Sequence, residues 1–302
     1  MKVSILIPVY NGGEHLAECL DSVLMQDFPG LEILIADDGS TDGSPGIIKS
    51  YADRDDRIRW WKNPGNLGMV GNFNACIREA RSDYIKFVLQ DDKLLSASAV
   101  RLMVEALDGH PSAVLVGSRQ HVTGVKSKSF LFLKKPGLYH GKKIIVNFLE
   151  HNSNFIGQPT LTLFRKSGLK QPLDSRFTGH LDYALWCQLL EQGDFVYLDE
   201  TLGTWRVHKN QQTAIFEKNK GAHYETLSFM ETYYAKPWLR EMATDRMLFA
   251  QIYYLRKKYG ADADRLTSAM MSQLSPRRYA WQWLKHKVSR PMQQLARKLR
   301  RE

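Results

Sequence analysis

The chain has 302 residues, 42 Lys+Arg against 32 Asp+Glu, 43% hydrophobic and 25% charged residues. These are ordinary globular proportions, and a chain of this size buries roughly 75% of its unfolded surface without a disulfide or metal staple, so disorder, collagen and coiled coil are excluded. The formal net charge of +10 points toward nucleic acid only if it is spread over the body of the protein.

Short apolar runs alternate with amphipathic segments through the first 120 residues. Residues 3–8 read as a strand, and 14–26 as a helix with Leu16, Leu20, Val23 and Leu24 on one face. A strand at 31–36, a helix at 45–52, a strand at 58–61, a helix at 70–80, a strand at 84–89, a helix at 97–107 and a strand at 113–116 follow. Continuous apolar strands separated by helices predict an α/β fold, a mostly parallel sheet covered on both faces. From 117 to 141 the pattern dissolves. A helix at 142–150, a strand at 161–165, a helix at 181–191 and a strand at 195–198 come next, and then only helices, near 224–234, 240–259 and 262–273. Two regions are therefore expected, 1–215 and a helical 216–302.

Cys19, Cys76 and Cys187 are sparse, odd in number and without metal-ligand spacing, which favours a reducing compartment. No run approaches 18 apolar residues, and the N-terminus lacks the length and cleavage site of a signal peptide. The expected location is cytoplasmic.

Parallel sheets bind ligands beyond the carboxyl ends of their strands. The loops there carry Pro8-Val9-Tyr10-Asn11-Gly12, Asp37-Asp38-Gly39-Ser40-Thr41-Asp42 and Gln90-Asp91-Asp92-Lys93. Carboxylates gathered at one sheet edge raise each other's pKa unless a cation or hydrogen-bond donors lie between them. A divalent metal on a diphosphate suits such hard oxygen ligands. Each acidic pair alone also reads as a turn that begins a helix, with Asp42 or Ser44 and Ser96 as the caps.

Taken together, the segments resemble family 2 glycosyltransferases, inverting enzymes of the GT-A fold. The resemblance runs from Val3-Ser4-Ile5-Leu6-Ile7-Pro8-Val9-Tyr10-Asn11 through Leu20, Val23, Leu24 and Gln26 to Glu32-Ile33-Leu34-Ile35-Ala36-Asp37-Asp38-Gly39-Ser40-Thr41-Asp42. It continues over Asn66-Leu67-Gly68, Asn74, Tyr84-Ile85-Lys86-Phe87 and Asp91-Asp92, covering roughly residues 1–210. It implies a Rossmann-like GT-A domain in which Pro8, Tyr10, Asn11 and Asp38 line the base and ribose, with Asn66, Asn72 and Asn74 touching base or phosphate or capping the nearby helix. It further implies that the region of Asp91 and Asp92 holds Mn2+ or Mg2+ on the sugar diphosphate. Leu89 stands where the first acid of the usual Asp-Ser-Asp-Asp would be, which leaves open whether Asp91 or Asp92 is the direct ligand.

An inverting transfer needs one carboxylate to deprotonate the acceptor hydroxyl. The segment that matches the family's base motif is Phe177-Thr178-Gly179-His180-Leu181-Asp182-Tyr183 with Trp186, so the resemblance assigns the general base to Asp182, with Leu181 replacing the usual preceding acid. By charge alone, Asp182 is also a favourable first-turn residue of a helix. Trp205-Arg206-Val207-His208 resembles the family's Arg-x-His segment, which implies Arg206 at the diphosphate and His208 at the metal.

Residues 276–302 hold nine Lys+Arg and one acid, leaving 33 Lys+Arg against 31 acids in the other 275 residues. The body is nearly neutral, so no nucleic-acid face is expected. In the tail, Trp281, Leu284, Val288, Met292, Leu295 and Leu299 follow a helical spacing among basic residues. That composition suits either a membrane surface or packing on the domain. The expected enzyme transfers a sugar from a nucleotide-diphosphate donor, UDP-sugar favoured, to a saccharide or lipid-linked saccharide of a surface polysaccharide, at the inner face of a membrane. The alternatives are a non-catalytic sugar-nucleotide or glycan-binding module, or a nucleotidyltransferase, which usually carries a Gly-rich phosphate loop that Pro8-Val9-Tyr10-Asn11 does not supply.

Overall fold

A computed structural model of the chain describes residues 2–124, 128–130, 135–151, 154–208, 221–274 and 277–283. It divides into two compact units, Met1–Ile144 with Asn154–Glu225, and Ile145–Ser153 with Thr226–Glu302. The expected boundary at 215/216 lies outside the described residues.

The first unit is organised by β1 (Val3–Val9), whose Val3, Ile5, Leu6 and Ile7 are wholly buried. A 3-10 turn (Gly13–His15) leads into α1 (Leu16–Leu24), where Leu16, Cys19, Leu20 and Val23 form the buried face. Then come β2 (Leu31–Asp37), α2 (Ser44–Ala52), β3 (Ile58–Lys62), α3 (Gly68–Glu79), β4 (Tyr84–Phe87), α4 (Ala99–Asp108) and β5 (Ala113–Gly124). The short β6 (Lys128–Phe130) and β7 (Gly137–Tyr139) precede α5 (Gly141–His151), β8 (Thr162–Arg165), α6 (Leu181–Leu190) and β9 (Asp194–Val207). The sheet order is β3-β2-β1-β4-β8-β5-β9-β7, with β6 paired to β5. Strands β3, β2, β1 and β4 are parallel, and β8 runs antiparallel to both β4 and β5. β1 is the first strand yet lies mid-sheet, so the chain leaves it in opposite directions toward β2 and β4, and a crevice opens beyond its carboxyl end.

Two strands are longer than their sequence patterns predict. β5 continues to Gly124 because its inward positions include the buried polar residues Ser118 and Gln120, which erase the apolar alternation. β9 spans 14 residues and pairs in parallel with β5, with register irregularities around Ser118, Arg119 and Gln120. Beyond the irregularity β9 meets the loop after β4, through Leu95 N to Leu202 O (3.0 Å) and Thr204 N to Lys93 O (2.9 Å). This detour brings the end of β9 to the acidic pair.

The second unit is helical where described: α7 (Gly221–Tyr234), whose first residues belong to the first unit, α8 (Pro237–Met242), α9 (Asp245–Tyr259) and α10 (Asp264–Met271). The single helix expected over 240–259 breaks because Thr244 is extended and its hydroxyl accepts from Met247 N, starting α9 afresh. Leu239, Ile252 and Leu255 are wholly buried. Of the expected apolar stripe in the tail, only Trp281 falls among the described residues, at 57% exposure.

Glu32 ties the rim of the sheet opposite the crevice. It is buried, and its Oε1 accepts from Ser4 Oγ, Arg81 N (2.8 Å) and Ser82 Oγ (3.3 Å), joining β1, β2 and the turn before β4. Glu32→Ala leaves these donors unpaired and should cost about 1–3 kcal/mol in urea unfolding, whereas Glu32→Gln, which keeps an acceptor, should cost less.

Candidate active site

The three loops at the carboxyl ends of β1, β2 and β4 are fastened to each other by side chains. Asn11 adopts φ 49°, a left-handed conformation that Asn tolerates better than most residues. From there its N–H donates to Ser40 Oγ (2.8 Å) and its Oδ1 accepts from Thr41 N (2.9 Å). On the other side Gln90 pairs twice with the Tyr10 backbone, Oε1 accepting from N (2.8 Å) and Nε2 donating to O (3.0 Å). Asp42, expected as a cap of α2, accepts from Ser44 N at the start of that helix through Oδ1 (3.0 Å) and from Gly13 N through Oδ2 (3.0 Å), while Ser44 Oγ accepts from Gly12 N (2.9 Å). Ser96 makes no cap on α4; its Oγ accepts from Ser98 N. The loops enclose a cleft of about 870 Å³.

Pro8, Tyr10, Asn11, Asp38 and Asn66 all line this cleft. Asp38 is nearly fully buried, and its Oδ1 accepts from Asn63 Nδ2 (2.9 Å) and Leu67 N (2.8 Å). Asn63 also donates to Asn72 Oδ1 (2.9 Å), whose own amide donates to Ala36 O (3.0 Å). This buried chain fixes the Asp38 carboxylate at the floor of the cleft. Asn66 Oδ1 accepts from Gly68 N at the start of α3. Asn74 does not belong to the cleft. Its amide is committed to the Leu173 backbone, accepting from N (2.8 Å) and donating to O (2.9 Å), so its work is to hold that loop on α3.

The acidic pair separates into two kinds of carboxylate. Asp92 is 2% exposed, with Oδ1 accepting from Arg206 N (2.8 Å) and Oδ2 from Thr160 Oγ1 (2.8 Å). Burial, and then the neighbouring Asp91 charge, push its pKa well up. Lys86, wholly buried on β4, donates to Thr160 O, and burial depresses its pKa to about 7. Asp91 has its Oδ2 2.9 Å from His208 Nε2 and lines the cleft with it. Asp91, Asp92 and His208 thus all line the cleft, and both Asp92 oxygens accept hydrogen bonds from the protein. No group of three or more metal-ligating side chains is found among the described residues. A carboxylate and an imidazole nonetheless fit Mg2+ or Mn2+ on a diphosphate, since such ions keep waters and take phosphate oxygens as further ligands. Arg206 is not among the cleft residues. Its guanidinium pairs with Glu18 and donates Nε to Asp91 O (2.8 Å), so it braces the acidic loop.

Across the cleft, Asp182 sits in the first turn of α6. Burial raises its pKa to about 6, while hydrogen bonds from Tyr183 N and Asn154 Nδ2 (2.9 Å) favour its charged form. Asn154 is itself locked, its Oδ1 accepting from Ile156 N and Gly157 N. Helix α6 has no side-chain cap from its own N-cap residue His180; the buried Glu225 carboxylate accepts from Gly179 N (2.8 Å) instead. Sequence reasoning missed Glu225 and gave Gln90 no role beyond membership of its loop. Asn154 and Thr160 belong to the sequence segment 152–160, whose Gly157 and Pro159 suggest a tight bend beside the site where an acceptor is shaped.

The sequence matches the profile of glycosyl transferase family 2 over residues 4–171. The chain belongs to this family. An uncharacterized glycosyltransferase of Rickettsia typhi is 30% identical over 74% of this chain and 70% of its own. The GalNAc(5)-diNAcBac-PP-undecaprenol beta-1,3-glucosyltransferase of Campylobacter jejuni is 28% identical over 76% of this chain and 72% of its own. Among solved structures, S. aureus TarS 1–349 superposes with a TM-score of 0.65 at 17% identity, covering 88% of this chain and 75% of that one. The mannosyltransferase PcManGT of Pyrobaculum calidifontis, solved with GDP-Man and Mn2+, superposes with a TM-score of 0.58 at 14% identity, covering 94% and 84%. At these identities the likeness concerns fold, and the fold is that of GT-A glycosyltransferases.

Within this glycosyltransferase the reassignment of Asn74 is open to direct measurement. Asn74→Ala should lower stability by about 1–3 kcal/mol through the unpaired Leu173 backbone groups. Nucleotide affinity, read by calorimetry, should stay within about twofold, the spread expected when no contact is lost. A large loss of affinity in a folded variant would return Asn74 to the nucleotide site.

Proposed function

We propose that the chain is an inverting glycosyltransferase that moves a sugar from a nucleotide-diphosphate donor, a UDP-sugar in preference, to a hydroxyl of a saccharide or lipid-linked saccharide. One observation carries the proposal: a single cleft gathers the Asp38 floor, the Asp91–His208 pair and the pKa-raised Asp182. Structures of TarS 1–349 solved with UDP and with UDP-GlcNAc support the donor class. The undecaprenol-linked substrate in the name of the Campylobacter relative supports a lipid-linked acceptor for a surface polysaccharide. Such an acceptor goes with the inner face of a membrane, which the exposed Trp281 and Trp283 and the basic composition of 276–302 also favour. No described helix is long and apolar enough to cross a membrane.

In this reading the Tyr10 ring, 46% exposed at the rim, and the buried Asp38 carboxylate bind the base, the ring by stacking and the carboxylate by accepting an N–H. Asp91 and His208 would hold Mn2+ or Mg2+, which when bound supplies positive charge to the leaving diphosphate. Asp182 accepts the proton of the acceptor hydroxyl as that oxygen attacks the anomeric carbon from the face opposite the diphosphate. Its raised pKa makes it a stronger base than a solvated carboxylate while leaving it mostly ionised at neutral pH. Asn154 keeps the reacting carboxylate oriented and charged.

Turnover should require ionised Asp182, so kcat should fall as pH drops through about 6. Asn154→Ala, by removing a hydrogen bond to the charged form, should move that limb to higher pH. Asp182→Asn should lower kcat by about 10²–10⁴-fold, the usual range for a lost general base, with donor binding retained. Full activity in this variant would eliminate the base assignment. Separately, chelation by EDTA should abolish sugar transfer and added Mn2+ should restore it; transfer unaffected by exhaustive chelation would remove the metal from the proposal.

A further inference from the structure

A diphosphate entering this cleft meets an unusual shortage of positive charge. The described residues lining it include five acids, Glu14, Asp38, Asp91, Asp92 and Asp182, and neither Lys nor Arg. The nearest basic groups are turned to other work, Arg206 and Lys93 being paired with Glu18, and Lys86 being buried under Thr160. Many amide donors are committed as well. The Gln90, Asn72 and Asn154 side chains donate to Tyr10 O, Ala36 O and Asp182 respectively. Among the described lining residues, the side chains that can carry positive charge are therefore His15 and His208.

His15 has no part in the family resemblance or in the site assembled so far. It ends the 3-10 turn before α1, and the hydrogen bonds of Gly12 N to Ser44 Oγ (2.9 Å) and Gly13 N to Asp42 Oδ2 (3.0 Å) fix that turn. Its ring meets the His208 ring edge-on, with centroids 5.6 Å apart, and its side chain retains 24% exposure. Glu14, itself a lining residue and mostly exposed, brings Oε1 to 3.7 Å from His15 Nε2. The ring therefore stands beside the Asp91–His208 pair, where a nucleoside diphosphate on that pair would lie.

We propose that His15 is a donor-binding residue whose imidazole N–H hydrogen-bonds the diphosphate of the nucleotide sugar, beside the Asp91–His208 pair. The assignment rests on the nucleotide-sugar reading above. It predicts selectivity for the diphosphate over the nucleoside. A hydrogen bond to a charged phosphate oxygen is among the stronger kinds, so its loss should be visible in affinity.

The full chain with Mn2+ is titrated with UDP by calorimetry and with uridine by saturation-transfer NMR, which reads weak affinities. His15→Ala should weaken UDP binding about tenfold, the loss expected for one charged hydrogen bond, while uridine binding holds. His15→Gln, which retains an N–H donor, should recover part of the loss, and thermal melts establish that both variants fold. Unchanged UDP affinity in His15→Ala overturns the assignment, as does an equal loss of UDP and uridine, which would mean that the residue only shapes the cleft. Wild-type protein that binds neither UDP nor GDP with Mn2+ would instead remove the nucleotide-sugar reading, and this assignment with it.

Discussion

The Asp92 carboxylate is the knot on which the site depends. Its two oxygens take hydrogen bonds from Arg206 N and Thr160 Oγ1, and Thr160 Oγ1 also accepts from Leu89 N (3.0 Å). One buried carboxylate therefore binds together the loop after β4, the turn before β8 and the end of β9. A buried carboxyl is costly unless hydrogen-bonded. Burial raises the Asp92 pKa and lowers that of Lys86 behind Thr160, which works against a full ion pair between them, so the hydrogen bonds hold the knot. The arrangement frees Asp91 to face the cleft. Two adjacent aspartates thus differ in setting, one hydrogen-bonded to Thr160 and Arg206 and the other to His208.

A second consequence of this design is rigidity without regular structure. Strand pairing between β1 and β4 ends at Leu6 and Phe87. Beyond that point the Gln90 amide mimics a further ladder rung against Tyr10, and Asn11 does the same toward the β2 loop. Side chains thereby replace backbone partners where the loops must diverge to leave room for a substrate. Such loops lose less freedom on binding, because most of their ordering accompanies folding.

The fold was largely legible in the sequence, because β1, β2, β4 and the intervening helices carry periodic apolar residues. β5 and β9 were read too short because Ser118 and Gln120 point inward as polar groups and because the pairing of β9 with β5 passes through register shifts midway. In the site, residue identity led to the cleft for Asp38, Asp91, Asp182 and His208, but it could not tell which polar atoms were already engaged. Asn74 and Arg206 have suitable chemistry for a ligand, and their hydrogen bonds go to the protein instead. The role of Gln90 within its nominated loop, and Glu225 altogether, escaped notice for the converse reason. Each acts on a backbone distant in sequence, and nothing local marks that.

The path of β9 also orders events in time. The contacts between the first two ligand loops span about 30 positions, as in Asn11 with Ser40 and Thr41. The contact of His208 with Asp91 spans 117 positions, and that of Arg206 with Asp92 spans 114. Longer closures cost more chain entropy and form later. As the polypeptide emerges from the N-terminus, the wall made by the loops after β1 and β2 can assemble while the acidic loop still lacks its bracing strand. One side of the cleft is thereby local in the chain, and the other waits for β9.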